Sequence, residues 1–148
     1  MFADDAEVEY QSSSYKNINY NLIKDQNLII VEQMDNIPSG FIQEITQYVE
    51  QGGNLLLIAS AAEKTYNNAL NQTLGVTTFG SLNENKTNVS FLNLQSSLYK
   101  NVFEKYPENI DLPVVFQYFT ADKSVSANKE LLMRLENGDD FLIAQQIG

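Results

Sequence analysis

The sequence predicts an α/β fold built on a parallel sheet, and the segment from Leu28 to Leu74 carries that prediction. Two unbroken apolar runs, Leu28 to Val31 and Leu55 to Ala59, have the character of strands covered on both faces. Between them Phe41, Ile45, Tyr48 and Val49 recur at helical spacing and form one apolar stripe on a helix of about 13 residues. A buried strand, an amphipathic helix and a second buried strand make a right-handed βαβ unit, whose strands run parallel.

The elements follow in order. Glu7 to Ser12 alternates weakly, with Val8 and Tyr10 on one face, and reads as a short edge strand. Tyr15 to Asn27 is polar, with Leu22 and Ile23 anchoring a short turn or helix. Met34 to Ile37 is a loop, and Pro38 sits where the first turn of a helix tolerates a missing N–H. Gly52 and Gly53 end that helix, because glycine takes the left-handed conformation without a Cβ clash. A second helix is expected from Ala62 to Leu74, with Tyr66, Leu70 and Leu74 on one side and Gly75 as its stop. Val76 to Thr87 is loop-like, with a short strand at Val76 to Phe79, and Val89 to Leu94 alternates as a strand. Ser97 to Glu104 suggests a helical turn, and Pro113 precedes a strand from Val114 to Phe119. The chain closes on a hairpin: Leu131 to Leu135, then Glu136-Asn137-Gly138-Asp139, then Phe141 to Ala144. Asn-Gly predicts a type I′ turn, in which both central residues take positive φ.

Composition narrows the function classes. The 148 residues suit a single domain, 1–148, and a chain of this length buries roughly 70% of the surface its unfolded form exposes. The apolar fraction is 43%, with Asn and Gln filling the shortfall rather than charge. Phe2 directly after Met1, and Gly148 just after a strand, suggest a piece cut from a longer protein. Nineteen acids against nine Lys and Arg give a net charge of −10, and the lysines are scattered. Nucleic acid and anionic membrane surfaces both need a positive face, so neither is an expected partner. No apolar run approaches the roughly 18 residues of a membrane-spanning helix. The chain has no Cys and no His, which removes thiolate chemistry, histidine general bases and the usual zinc sites. Three N-x-[ST] sequons, at Asn71, Asn85 and Asn88, match the roughly two that chance gives in so Asn-rich a chain.

The order of elements resembles a known family. Asp25-Gln26-Asn27, the strand LIIVE, Ile37-Pro38 and then ITQYVEQGGNLLLIA resemble the class I glutamine amidotransferase-like fold. TYNNALNQTLG, FLNLQSSLYKNVFE and NIDLPVVFQYF resemble the domain inserted in bacterial BatA-like, aerotolerance-type membrane proteins. The resemblance covers Leu28 to Phe119. It implies a flavodoxin-like three-layer sandwich with a mostly parallel central sheet, to which the hairpin is added at the C-terminus. It also implies a domain held on the periplasmic side of the cell membrane. In active amidotransferases a nucleophilic cysteine follows the second strand; here Ala59, Ser60 or Ala61 stands at that place, and the triad is lost.

Open parallel sheets bind ligands beyond the carboxyl ends of their strands, which makes Glu32, Ser60, Ala61 and Tyr66 the candidate ligand-binding residues. Ser60 lacks a G-x-S-x-G elbow and a base, and reads better as a helix N-cap than as a nucleophile. Glu32 reads as a solvated strand-end carboxylate unless a polar ligand meets it. Asp4-Asp5 and Asp139-Asp140 lack the alternating oxygen ligands of a calcium loop, so no metal and no cofactor is expected. Tyr10, Tyr15, Tyr20, Tyr99, Tyr106, Tyr118, Phe116 and Phe119 are numerous enough for some to form a contact patch. The first reading is therefore a non-catalytic binding or scaffolding domain that meets other envelope or membrane proteins. A domain binding a small polar ligand is the second, and a hydrolase with a carboxylate or metal site the third.

Overall fold

The computed structural model describes residues 8–32, 36–62, 64–100, 102, 110–123 and 128–147. The βαβ segment forms β1 (Leu28–Glu32), α1 (Ser39–Glu50) and β2 (Asn54–Ile58), and the two strands pair in parallel from Leu28 opposite Asn54 to Glu32 opposite Ile58. The apolar stripe of α1 is buried as its spacing requires: Phe41, Ile45, Tyr48 and Val49 all enter the core. Pro38 lies just before the first turn, in extended conformation.

The glycine pair does two different jobs. Gly52 has φ +91° and donates to Val49 O, while Gly53 donates to Tyr48 O, the paired bonds of a Schellman helix end. Gly53 is needed for room, because a Cβ there would meet the Tyr48 ring. That ring brings its hydroxyl to Asn54, accepting from the backbone N–H at 3.0 Å and lying 3.1 Å from the carbonyl O, with Gln26 O at 3.3 Å. One phenol thus ties the end of α1 to the starts of both strands.

Beyond β2 the chain departs from the predicted three-layer sandwich. Parallel pairing stops at two strands, and the rest is antiparallel, curling into a half-barrel. β3 (Phe79–Asn83) pairs with β6 (Tyr118–Ala121). A four-stranded sheet has the order β5–β4–β7–β8, from β4 (Thr87–Leu92), β5 (Val114–Val115), β7 (Lys129–Leu135) and β8 (Asp140–Gln145). The reason is in the strands themselves. FGSLN and TNVSFL mix polar and apolar residues, which suits antiparallel sheets with one wet face and not a parallel strand buried on both sides.

The second helix is shorter than predicted. α2 covers only Ala69–Leu74, and the stretch from Ala62 lies outside it. Asn67 and Asn68 compete with the helix. Asn67 Oδ1 accepts from Ala69 N at 3.0 Å, and Asn68 clamps Phe79 by accepting from its N–H and donating to its carbonyl, both at 2.8 Å. Gly75, at φ +67°, ends α2 with the same paired bonds as Gly52.

Other expectations are also corrected. Residues 8–12 form no strand; Glu7 lies outside the described residues. The strand expected from Val114 to Phe119 divides into β5 and β6, which pair with different neighbours. The predicted helical turn survives as one 3-10 turn at Ser97–Tyr99, its C-terminal part lying mostly outside the described residues. In the hairpin, Gly138 N donates to Leu135 O and Leu135 N to Asp139 O, with Gly138 at φ +85°. That pattern puts Glu136 and Asn137 at the centre of the turn and Gly138 after it, a three-residue loop rather than a type I′ turn.

Two cores result. The larger joins Ile23, Val31, Phe41, Ile45, Tyr48, Val49, Leu70 and Leu74 around α1. The smaller joins Val89, Val115, Tyr118 and Leu135 between the antiparallel strands.

Candidate functional site

The pleat of β1 and β2 creates two unlike faces. Ile29, Val31, Leu55 and Leu57 point to α1 and belong to the larger core. Leu28, Ile30 and Glu32 alternate to the other side, opposite Asn54, Leu56 and Ile58 in register. That side is uncovered among the described residues: Leu28 is 50% exposed, Ile30 42%, Leu56 36% and Ile58 43%. The four side chains form a contiguous patch on the order of 300 Å², in the size range that marks contact sites on soluble proteins. A parallel strand pair is almost always covered on both faces, so a face left this exposed by the described residues is unusual.

The predicted site residues are split by the fold. Glu32 ends β1, exposed, at the rim of the bare face, and Ser60 and Ala61 follow β2 at the same end. Ser60 Oγ accepts from Ala62 N at 3.3 Å, so it closes a turn and does not cap a helix. Tyr66 is elsewhere. Its hydroxyl donates to Asn71 Oδ1 at 3.3 Å, and its ring meets Phe79 edge-on at 4.7 Å and Phe119 at 6.0 Å. Burial raises its phenol above the ordinary value. Tyr66 lines an open cleft of about 550 Å³ with Lys64, Thr65, Gly80, Ser81, Leu82 and Glu84. Neither Glu32, Ser60 nor Ala61 lines it. Its described lining offers the exposed Lys64 amine, the exposed Glu84 carboxylate and hydroxyls.

Sequence reasoning missed a polar cluster in the rear half. Tyr118 Oη donates to Asp139 Oδ2 at 2.7 Å and accepts from Asn83 Nδ2 at 2.8 Å and Asn137 Nδ2 at 2.6 Å. Lys123 Nζ lies 3.3 Å from the other Asp139 oxygen. Burial, then the bond to Asp139, pushes the Tyr118 phenol up. The bond from Tyr118, helped by Lys123 and Asn137, holds the Asp139 carboxyl below its ordinary value against the opposing effect of burial. The hydroxyl has no spare hydrogen-bonding capacity, so the cluster fastens the hairpin turn to β6 and β3 and leaves no reactive group open.

Among the described residues no group of three or more Cys, His, Asp and Glu side chains could hold a metal ion, and no helix is long and apolar enough to cross a membrane. Of the aromatics singled out in the sequence, Tyr118 and Phe119 are core residues, Tyr10, Tyr15, Tyr20 and Phe116 are exposed, and Tyr106 lies outside the described residues. No protein-family model matches the chain, and comparison with curated proteins and with solved structures gives no significant match.

Proposed function

We propose that this chain is a non-catalytic protein-binding domain that docks a partner on the bare face of β1 and β2. The single observation behind this reading is the exposure of Leu28, Ile30, Leu56 and Ile58 on one side of a parallel strand pair. The absence of Cys and His agrees with a role that needs no thiolate or imidazole base. The envelope setting implied by the family resemblance is not needed for this reading.

The occupant is a partner protein that presents an amphipathic helix with basic residues beside its apolar stripe. Two features support that choice. Strands of five residues span about 17 Å, and a 12-residue helix such as α1, which covers the opposite face, spans about 18 Å. Glu32 closes one end of the face, and the chain carries −10, which favours Lys or Arg at the partner's rim and disfavours a second copy.

The test is a photo-crosslinking residue at position 56, compared with one at exposed Gln47 on α1, in the cells that make the protein. A partner captured at 56 and not at 47 is then purified and measured for binding. The reading requires that Ile30→Asp and Leu56→Asp abolish binding while leaving the chain folded, with a loss of stability of about 1 kcal/mol. Adducts that do not differ between the two positions contradict it, and an adduct with a second copy of the chain rejects the helical partner.

The cleft beside Tyr66 supports a second reading, a small polar ligand held by Lys64, Glu84 and Ser81. A thermal-shift screen with sugars, nucleotides and amino acids tests it. Saturation at 100 times Kd adds about 2.7 kcal/mol, so no shift at millimolar ligand rejects that reading.

A further inference from the structure

We propose that Asn137 is a self-modification site, a deamidation switch that the folded hairpin turn holds closed. Asn-Gly is the sequence in which the following backbone nitrogen meets least steric hindrance on its way to the side-chain carbonyl carbon. The reaction forms a bond from Gly138 N to Asn137 Cγ and breaks Cγ–Nδ2, releasing ammonia with the proton from Gly138 N. Water then opens the cyclic imide. Cleavage of the new N–Cγ bond leaves aspartate, and cleavage of the original peptide bond leaves isoaspartate.

The structure blocks every part of this step. Gly138 N is occupied as the donor to Leu135 O at 2.9 Å, which closes the turn. Asn137 Nδ2 donates to Tyr118 Oη at 2.6 Å and to Asp139 Oδ2 at 3.2 Å, and its Oδ1 accepts from Asp139 N at 3.1 Å. The side-chain amide is therefore pinned at both ends, and the attacking nitrogen is tied into a turn. Conversion has to wait for the turn to leave Tyr118, so its rate follows the population of that opening.

The product cannot re-dock as before. A carboxylate at position 137 has no N–H to give to Tyr118 Oη or to Asp139. Tyr118 has one hydroxyl proton, already committed to Asp139 Oδ2 at 2.7 Å. Two carboxylates then face each other across that hydroxyl, with Lys123 3.3 Å from Asp139 as the cation in the cluster. Isoaspartate also adds a backbone atom to a turn whose geometry is set by Gly138 at φ +85°. Opening of the hairpin tip is thereby made permanent, and the chain carries a record of having opened.

The test follows conversion at position 137 by peptide mass spectrometry at mildly alkaline pH and 37 °C. Three samples are compared: the folded chain, the same chain unfolded in guanidinium, and Tyr118→Phe. Conversion in the folded chain is expected to be tenfold or more slower than in the unfolded chain, and several-fold faster in Tyr118→Phe than in the folded parent. Converted folded chains, separated by charge, should lose amide-exchange protection at Gly138 and Glu136. Should Tyr118→Phe fail to fold, Asp139→Asn loosens the same cluster and takes its place. Equal rates folded and unfolded overturn the proposal. So does a folded variant with an unchanged rate, or a converted chain that keeps its protection.

Discussion

The front and rear halves of this molecule are held by different means. Around α1, eight buried residues meet in one core whose polar bonds lie at its margins, such as the Tyr48 hydroxyl on Asn54. In the antiparallel half the described residues form a buried cluster of four, with Phe119, Ala121 and Leu132 buried beside it, and one of the four, Tyr118, spends its hydroxyl on three polar side chains. Apolar burial is non-directional and tolerates adjustment, whereas a buried polar cluster fails when one member is removed. The difference suggests that the front half bears most of the stability, and that the rear half depends on the fit of a few amides.

Removing apolar volume from the front core should have the largest effect. Ile45 is fully buried, and Ile45→Ala should cost about 4 kcal/mol in denaturant unfolding. A cost near 1 kcal/mol would show that the front core is loosely packed. Tyr118→Phe comes next. It leaves two amide donors and the Asp139 carboxylate without their shared hydroxyl, and should cost about 2 kcal/mol. If the two substitutions prove equal, the distinction between the halves is lost.

These two halves also differ in how much of them the sequence reveals. The βαβ unit was readable because burial on α1 follows the spacing of Phe41, Ile45, Tyr48 and Val49, and because a glycine pair before an apolar run has one common meaning. The hairpin was readable from Asn137-Gly138, although its turn type was not: where the turn closes depends on the pairing of β7 with β8. The mostly parallel sandwich was implied by the family resemblance, and the sequence itself supports only one βαβ unit. The sandwich failed because Asn67 and Asn68 bind backbone instead of extending a helix, and because β3 lacks an apolar run. Asn71 shows the same limit. It is nearly fully buried, donating to Thr77 O at 2.8 Å and accepting from Tyr66, and no local pattern marks an asparagine for that role. Of the candidate residues, Glu32 lies at the rim of the proposed face, and Ser60 and Ala61 follow β2 at the same end of the strands. The face itself stayed hidden because an apolar run reads the same whether one or both sides are covered.

Acid should separate the halves more gently. The Asp139 carboxyl is held below its ordinary value of 3.8, so its contribution is present above that pH and is lost as pH falls through the lowered folded value. For Tyr118, raised above 10.0, the contribution is present below pH 10.0 and is lost as pH rises through the raised value. Melting temperatures of the parent and Asp139→Asn should therefore differ at neutral pH and converge on the acid side. A gap that stays constant down to the acid limit would show that the Asp139 charge contributes nothing.

The smallest effect on stability belongs to the bare face. Ile30→Asp should destabilise by about 1 kcal/mol, because the side chain it replaces is already 42% exposed. A loss comparable to that of Ile45→Ala would mean that this side of the sheet is buried by the chain itself.

The most direct test is carbene footprinting of the purified chain, read residue by residue along β1 and β2. Strong labelling is expected at Leu28, Ile30, Leu56 and Ile58 and weak labelling at Ile29, Val31, Leu55 and Leu57, an alternation that follows the pleat. Equal protection of both sets in the free protein would contradict it, because no docking face would then be open.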